Sequence, residues 1–200
     1  MKQAIACAVL LVPMAVQAEQ IGSFYLGVTG GAGKFNGKPD YDALTLDLGD
    51  SGKVAGGYLG YSATNGRLKF SFELDYLKYS GELEGKINAL DIGVGNKFDH
   101  SYSGSILMGM MAAPDIELYA RAGYGKLKVK TTSGTLASPV ERDEKLDSTH
   151  AGLGIRFTNH TQMGFRVEYR HMMIEDYKMS DGKNFESNGD VLLAGFDYSF

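Results

Sequence analysis

"GVTGGAGKF", residues 27–35, carries four glycines and a lysine in nine positions. Such a run either cradles a phosphate or lines a wall of extended chain. A phosphate loop needs Gly, four residues, then Gly-Lys-Ser/Thr, so that backbone N–H groups point at the anion and a hydroxyl meets magnesium. Counting back from Gly33-Lys34, the first glycine would fall at Val28, and the hydroxyl position is Phe35. The spacing and the chemistry both fail. The alternative reading takes every second residue: Phe24, Leu26, Val28, Gly30 and Ala32 form an apolar face. That is the period of a β-strand.

The same alternation recurs along the chain. Ala55, Gly57, Leu59 and Tyr61 form a second run, and Leu68, Phe70, Phe72, Leu74 and Tyr76 a third. Tyr102, Gly104, Ile106, Met108 and Met110 follow, then Leu118, Ala120, Ala122 and Tyr124. The last three are Ala151, Leu153, Ile155 and Phe157, then Met163, Phe165, Val167 and Tyr169, then Leu192, Ala194, Phe196, Tyr198 and Phe200. None of these positions is charged, although 22% of the chain is Asp, Glu, Lys or Arg. Between the runs, 34–53, 80–99, 130–147 and 173–190 read as long polar loops, while "SATNG", "AAPD" and "TNHT" read as tight turns. Long and short connections alternate, so the four long ones emerge at one end and both termini lie at the other. The expected fold is all-β: an eight-stranded antiparallel up-and-down transmembrane β-barrel, crossing with strands of about 9–11 residues.

The bulk properties agree. The start, "MKQAIACAVLLVPMAVQAEQ", has one lysine, an apolar run from Ala4 to Val16 and small residues before Glu19. It is expected to be a signal peptide over 1–18, leaving a barrel domain over 19–200. Cys7, the one cysteine, sits too close to the start for a lipoprotein signal core, and no disulfide is available. A formal net charge of −4 argues against a nucleic-acid partner. No later run reaches the roughly 20 apolar residues of a spanning helix.

Alternation alone does not say which face meets lipid, and a soluble eight-stranded barrel would put the apolar set inside around a ligand. The opposite face decides. It carries Glu73 and Asp75, then Arg121, Arg156, Arg166, Glu168, Arg170 and Asp197, four acids and four bases. A balanced set is what an enclosed lumen needs, because charges withdrawn from water must be paired. Aromatic residues bracket the apolar band. Tyr76, Tyr102, Tyr124 and Tyr169 mark the long-loop end, and Phe24, Tyr61, Phe157, Phe165, Tyr198 and Phe200 the turn end. Girdles of this kind sit where rings meet headgroups. Inward glycines, among them Gly27, Gly60, Gly123 and Gly154, make room in a lumen just wide enough for side chains.

On "FELDYL", "DIELYARAGYG" and "FRVEYR", with their order along the chain, the sequence resembles the OmpA-like outer-membrane β-barrel family over essentially all of 22–200. The resemblance implies that a third-strand Glu73 pairs with a seventh-strand Arg166 inside the lumen. It also implies that the terminal "LLAGFDYSF", with Phe196, Tyr198 and Phe200, is an assembly signal read by the outer-membrane barrel assembly machinery. No peptidoglycan-binding domain is expected after the barrel, which puts cell-wall anchoring in doubt.

Catalysis is poorly supported. Lipid A deacylases of this size place a serine two residues after a late-strand histidine, but Met173 follows His171 in "YRHMMIED". His100 and His150 begin strands at the loop end and read as solvated bases, and His160 lies in a turn. No cofactor or metal is expected. The long loops hold 10 Lys and Arg against 17 Asp and Glu, which disfavours a heparin-binding adhesin. The function expected is therefore structural or surface interaction, with at most slow, narrow permeation. Outer-membrane lipid, lipopolysaccharide and an extracellular ligand at the loops are the expected partners. A lipid A-modifying enzyme and a small-solute transporter are the alternatives.

Overall fold

The computed structural model describes residues 21–39, 48–87, 92–135, 138–178 and 184–200. The expected signal peptide and residues 40–47, 88–91, 136–137 and 179–183 of the expected long loops lie outside the described residues. Eight strands follow one another: β1 Ile21–Pro39, β2 Leu48–Asn65, β3 Leu68–Ile87, β4 Ile92–Ala113, β5 Ile116–Thr135, β6 Ser138–Thr158, β7 Met163–Lys178 and β8 Asn184–Ser199. Each pairs antiparallel with its neighbour, and β1 pairs with β8 from Tyr25 opposite Ser199 to Pro39 opposite Phe185, so the sheet closes on itself. Closure leaves no unpaired edge, the condition for a β-structure to cross a bilayer.

The three tight turns form as their residues dictate. Gly66, at φ +61°, lets β2 reverse into β3, a conformation that other residues rarely adopt. Pro114 and Asp115 connect β4 to β5. Asn159 Oδ1 accepts from the backbone N–H groups of Thr161 (3.0 Å) and Met163 (3.1 Å), closing the last turn. This accounts for "NHT", which matches a glycosylation acceptor only by pattern.

The long polar connections need correction. Strands run to 16–22 residues, about twice what a bilayer crossing needs. Most of 34–53, 80–99, 130–147 and 173–190 is paired strand rather than loop, with Phe35 opposite Asp50 and Lys128 opposite Lys145. The physical reason is a change of phase. Up to the level of Tyr76, Tyr102, Tyr124 and Tyr169, outward positions are apolar and exposed. Above it outward positions turn polar, with Lys34, Lys78, Ser80, Lys126, Lys128 and Asp190, Met173 being an exposed exception. Inward positions there turn apolar instead: Phe35, Val54, Leu77, Tyr79, Phe98, Leu127, Val129, Met172, Ile174, Val191 and Leu193 form one buried cluster. Beyond the tyrosines the barrel is built as a soluble one is, with its core inside. An apolar interior holds these strands together where lipid no longer supports them.

Candidate functional site

The lumen below this cluster is a chain of ion pairs. Glu73 on β3 is fully buried and accepts from two arginines. Arg166 on β7 donates to it twice, at 2.7 and 3.2 Å, and Arg121 on β5 donates to Glu73 Oε1. The Tyr25 hydroxyl also donates to it, at 3.1 Å. A second acid, Glu168, accepts from Arg170 Nε at 2.9 Å and from the Tyr119 hydroxyl at 2.8 Å, with Arg121 Nη1 at 3.2 Å. Asp75 accepts from Arg170 at 3.2 Å and from Ser103 at 2.9 Å. Toward the turn end Arg156 donates to Asp197, which also accepts from the Tyr58 hydroxyl at 3.1 Å. All eight charges read from the sequence therefore point inward and meet one another.

The network extends past those eight. Lys69 donates to Glu117 at 2.9 Å near the turn end, so among the described residues the ion pairs of the lumen join five carboxylates to four arginines and a lysine. Both residues keep the inward parity of Glu73 and Arg121, each four positions earlier on its strand, so the same alternation finds them. Inward tyrosines, Tyr25, Tyr58 and Tyr119, join the charges. The guanidinium carbon of Arg166 sits 3.5 Å from the centroid of Tyr58, and that of Arg156 5.0 Å from Tyr25. Each ring lies over the glycine directly across the ladder: Tyr58 over Gly27, Tyr25 over Gly60 and Tyr119 over Gly154. A Cβ at any of these glycines would strike the ring. Gly27 of the opening stretch, like Gly60 and Gly154, is thus a space that admits a tyrosine, which in turn holds a carboxylate.

His150 departs from expectation. It is not a solvated base but a buried inward residue, with Nε2 3.0 Å from Ser105 Oγ at the junction of the polar and apolar layers. The strand begins well before it, at Ser138, and its neighbours Thr149 and Ala151 face outward, so His150 falls on inward parity. His171 lies outward and half-buried, its Nδ1 2.8 Å from Asp190 Oδ1, an atom that also accepts from the Tyr169 hydroxyl at 2.5 Å. His100 lies outward beside Tyr76, with ring centroids 5.5 Å apart. Among the described residues no group of three or more His, Cys, Asp or Glu is placed to hold a metal ion. Phe196, Tyr198 and Phe200 line the outside of β8 and its end, all exposed.

A closed eight-stranded barrel with an apolar exterior band and a paired polar lumen defines a class of membrane protein, and the comparisons agree. The family model "Outer membrane protein beta-barrel domain" matches residues 4–200. The chain belongs to that outer-membrane β-barrel family. Among solved structures it is similar to Neisserial surface protein A (NspA), with 12% identity, 90% of this chain and 99% of that one covered, and a TM-score of 0.54. It is also similar to Ail, the attachment invasion locus protein of Yersinia pestis, with 16% identity, 88% and 98% coverage and a TM-score of 0.49. The outer membrane protease OmpT of Escherichia coli matches at 7% identity, 89% and 97% coverage and a TM-score of 0.45. At 12% identity the likeness to NspA shows the fold alone. No curated protein matches the chain in sequence.

Proposed function

We propose that this barrel is neither an enzyme nor a channel, and that it works through its outward surface and hairpin end. The observation that carries this reading is the double seal of the lumen. Ion pairs fill one half and the Phe35–Phe98–Tyr79 cluster the other, so at most slow passage of ions is expected. Two histidine pairs resemble parts of catalytic constellations, and neither supports one. Ser105 and His150 sit in the closed lumen, away from substrate. His171 is paired with Asp190, but the residue two further on is Met173, which offers no nucleophile.

In this reading the chain is exported by its signal peptide and assembled through Phe196, Tyr198 and Phe200 by the barrel assembly machinery. The termini then face the periplasm, and the hairpins face outward among lipopolysaccharide, where they meet an extracellular ligand. Two assays test it. Proteoliposomes should show no swelling in small sugars, and cells overproducing the protein should show lipid A of unchanged mass. Swelling at the rate of a general porin, or a lost acyl chain, would overturn it.

A further inference from the structure

The outward face just beyond the tyrosine girdle is not uniform. Lys78 on β3 stands opposite His100 on β4, His100 opposite Lys128 on β5, and Lys128 opposite Lys145 on β6. Four basic side chains thus form one row across four adjacent strands, spanning about 15 Å at the usual strand spacing. Lys126 and Lys130 flank Lys128 on the same face of β5. Acids are interleaved: Asp147 lies 2.5 Å from Lys126, Asp143 2.8 Å from Lys128, and Asp99 3.2 Å from His100. Lys78, Lys130 and Lys145 make no ion pair among the described residues, which leaves the sector with a cationic excess. On the other side of the barrel the corresponding row is His171, Asp190 and Lys34, a set that neutralises itself.

Depth is fixed independently of charge. Directly below the row lie Tyr76 and Tyr102, paired across β3 and β4, and on β5 Tyr124 lies two outward positions below Lys128, with Lys126 between them. All three are about half exposed. Amphipathic rings of this kind mark the headgroup level, so the lysines lie where lipid phosphates do. We propose that the β3–β6 sector is a binding site for a phosphorylated glycolipid of the outer leaflet, whose phosphates are held by Lys78, Lys128 and Lys145. The inference rests on the membrane orientation proposed above and names the site through which that lipid would be met. A sulfated polysaccharide is the competing occupant, but it would not need the row to lie at headgroup depth.

The test uses the refolded full-length barrel in detergent free of endogenous lipid. Bis-phosphorylated lipid A is titrated in, and bound lipid is counted by native mass spectrometry. Folding of each variant is checked by heat-modifiable gel mobility, so loss of the barrel is distinguished from loss of the site. The triple variant Lys78→Gln, Lys128→Gln, Lys145→Gln should weaken binding on the order of 100-fold, each lysine near an anionic surface being worth roughly fivefold. Lys34→Gln with Lys53→Gln, on β1 and β2, should change it less than threefold. Dephosphorylated lipid A should bind the wild type no better than it binds the triple variant. Should the triple variant fail to fold, Asp143→Asn with Asp147→Asn supplies the reverse test, because releasing Lys128 and Lys126 should tighten binding. Equal losses in both lysine sets, no dependence on phosphate, no tightening in the asparagine pair, or preference for a sulfated polysaccharide would each overturn the proposal.

Discussion

Glu73 takes two arginines and a tyrosine within the lumen, and among the described residues no other carboxylate there accepts from two arginines through hydrogen bonds. Removing it leaves buried cations without their partner, so Glu73→Ala should cost about 3–5 kcal/mol in urea unfolding followed by circular dichroism. An unchanged midpoint would mean that the Arg121 and Arg166 contacts carry no net stability. Glycine substitutions report on the tyrosines. Gly154→Ala places a Cβ against Tyr119, which is held by Glu168, and should cost about 1–3 kcal/mol by overpacking. In a Tyr119→Leu background the same change should cost much less, and equal costs in the two backgrounds would refute the packing account. Parity in the sequence located the ring of charges, and family resemblance paired Glu73 with Arg166. It did not reveal that tyrosines bridge them, because parity puts Tyr25, Tyr58 and Tyr119 inward but only the register sets a glycine opposite each ring.

The strands were legible where lipid imposes one phase on them and illegible where it does not. From Phe24 to Ala32 the apolar residues alternate outward, and the run ends with Lys34 in an outward place. Read as a loop from there, the segment conceals Phe35, which is inward, 1% exposed, and stacked on Phe98 at 4.4 Å. The signal was present as a second alternation shifted by one residue, in Leu77 and Tyr79, Leu127 and Val129, Met172 and Ile174, and Val191 and Leu193. Phe35→Ala should therefore destabilise the extensions by about 3–5 kcal/mol, measured as faster amide exchange in β1 and β8 above Lys34. Exchange unchanged there would contradict an interior core. At the outer surface, hydrogen bonds from Lys128 and Lys126 hold the carboxyls of Asp143 and Asp147 below their ordinary range. A carboxyl depressed in the folded state stabilises above its unfolded pKa, about 4, and that support is lost as pH falls through the lower folded value. Exchange in the β5–β6 hairpin should thus rise below about pH 4, and less so in high salt, where exposed pairs are screened. A hairpin whose protection is flat from pH 6 to 3 would show that these pairs contribute nothing.

At the scale of the whole molecule, one sequence encodes two kinds of barrel stacked on a common set of strands. The turn-end half is inverted, with lipid outside and paired charge within. The hairpin-end half has its apolar core inside and charge outside. The tyrosines mark the change. Each half seals the lumen in its own way, so opening one should not create a path: Glu73→Ala alone should remain non-conducting in planar bilayers, and so should Phe35→Ala alone. A porin-like conductance in either single variant would show that the two seals are not independent. The charge excess on β3–β6 belongs to this scale as well, because it exists only once the register sets four strands side by side.

The central claim is that the apolar face meets lipid rather than a ligand. Gel mobility of unboiled and boiled protein, run on separated soluble, inner-membrane and outer-membrane fractions, tests it most directly. A closed transmembrane barrel predicts a mobility shift on boiling, confined to the outer-membrane fraction. Recovery in the soluble fraction with no shift would contradict it, turn the apolar face inward and make the protein a carrier of whatever that face enclosed.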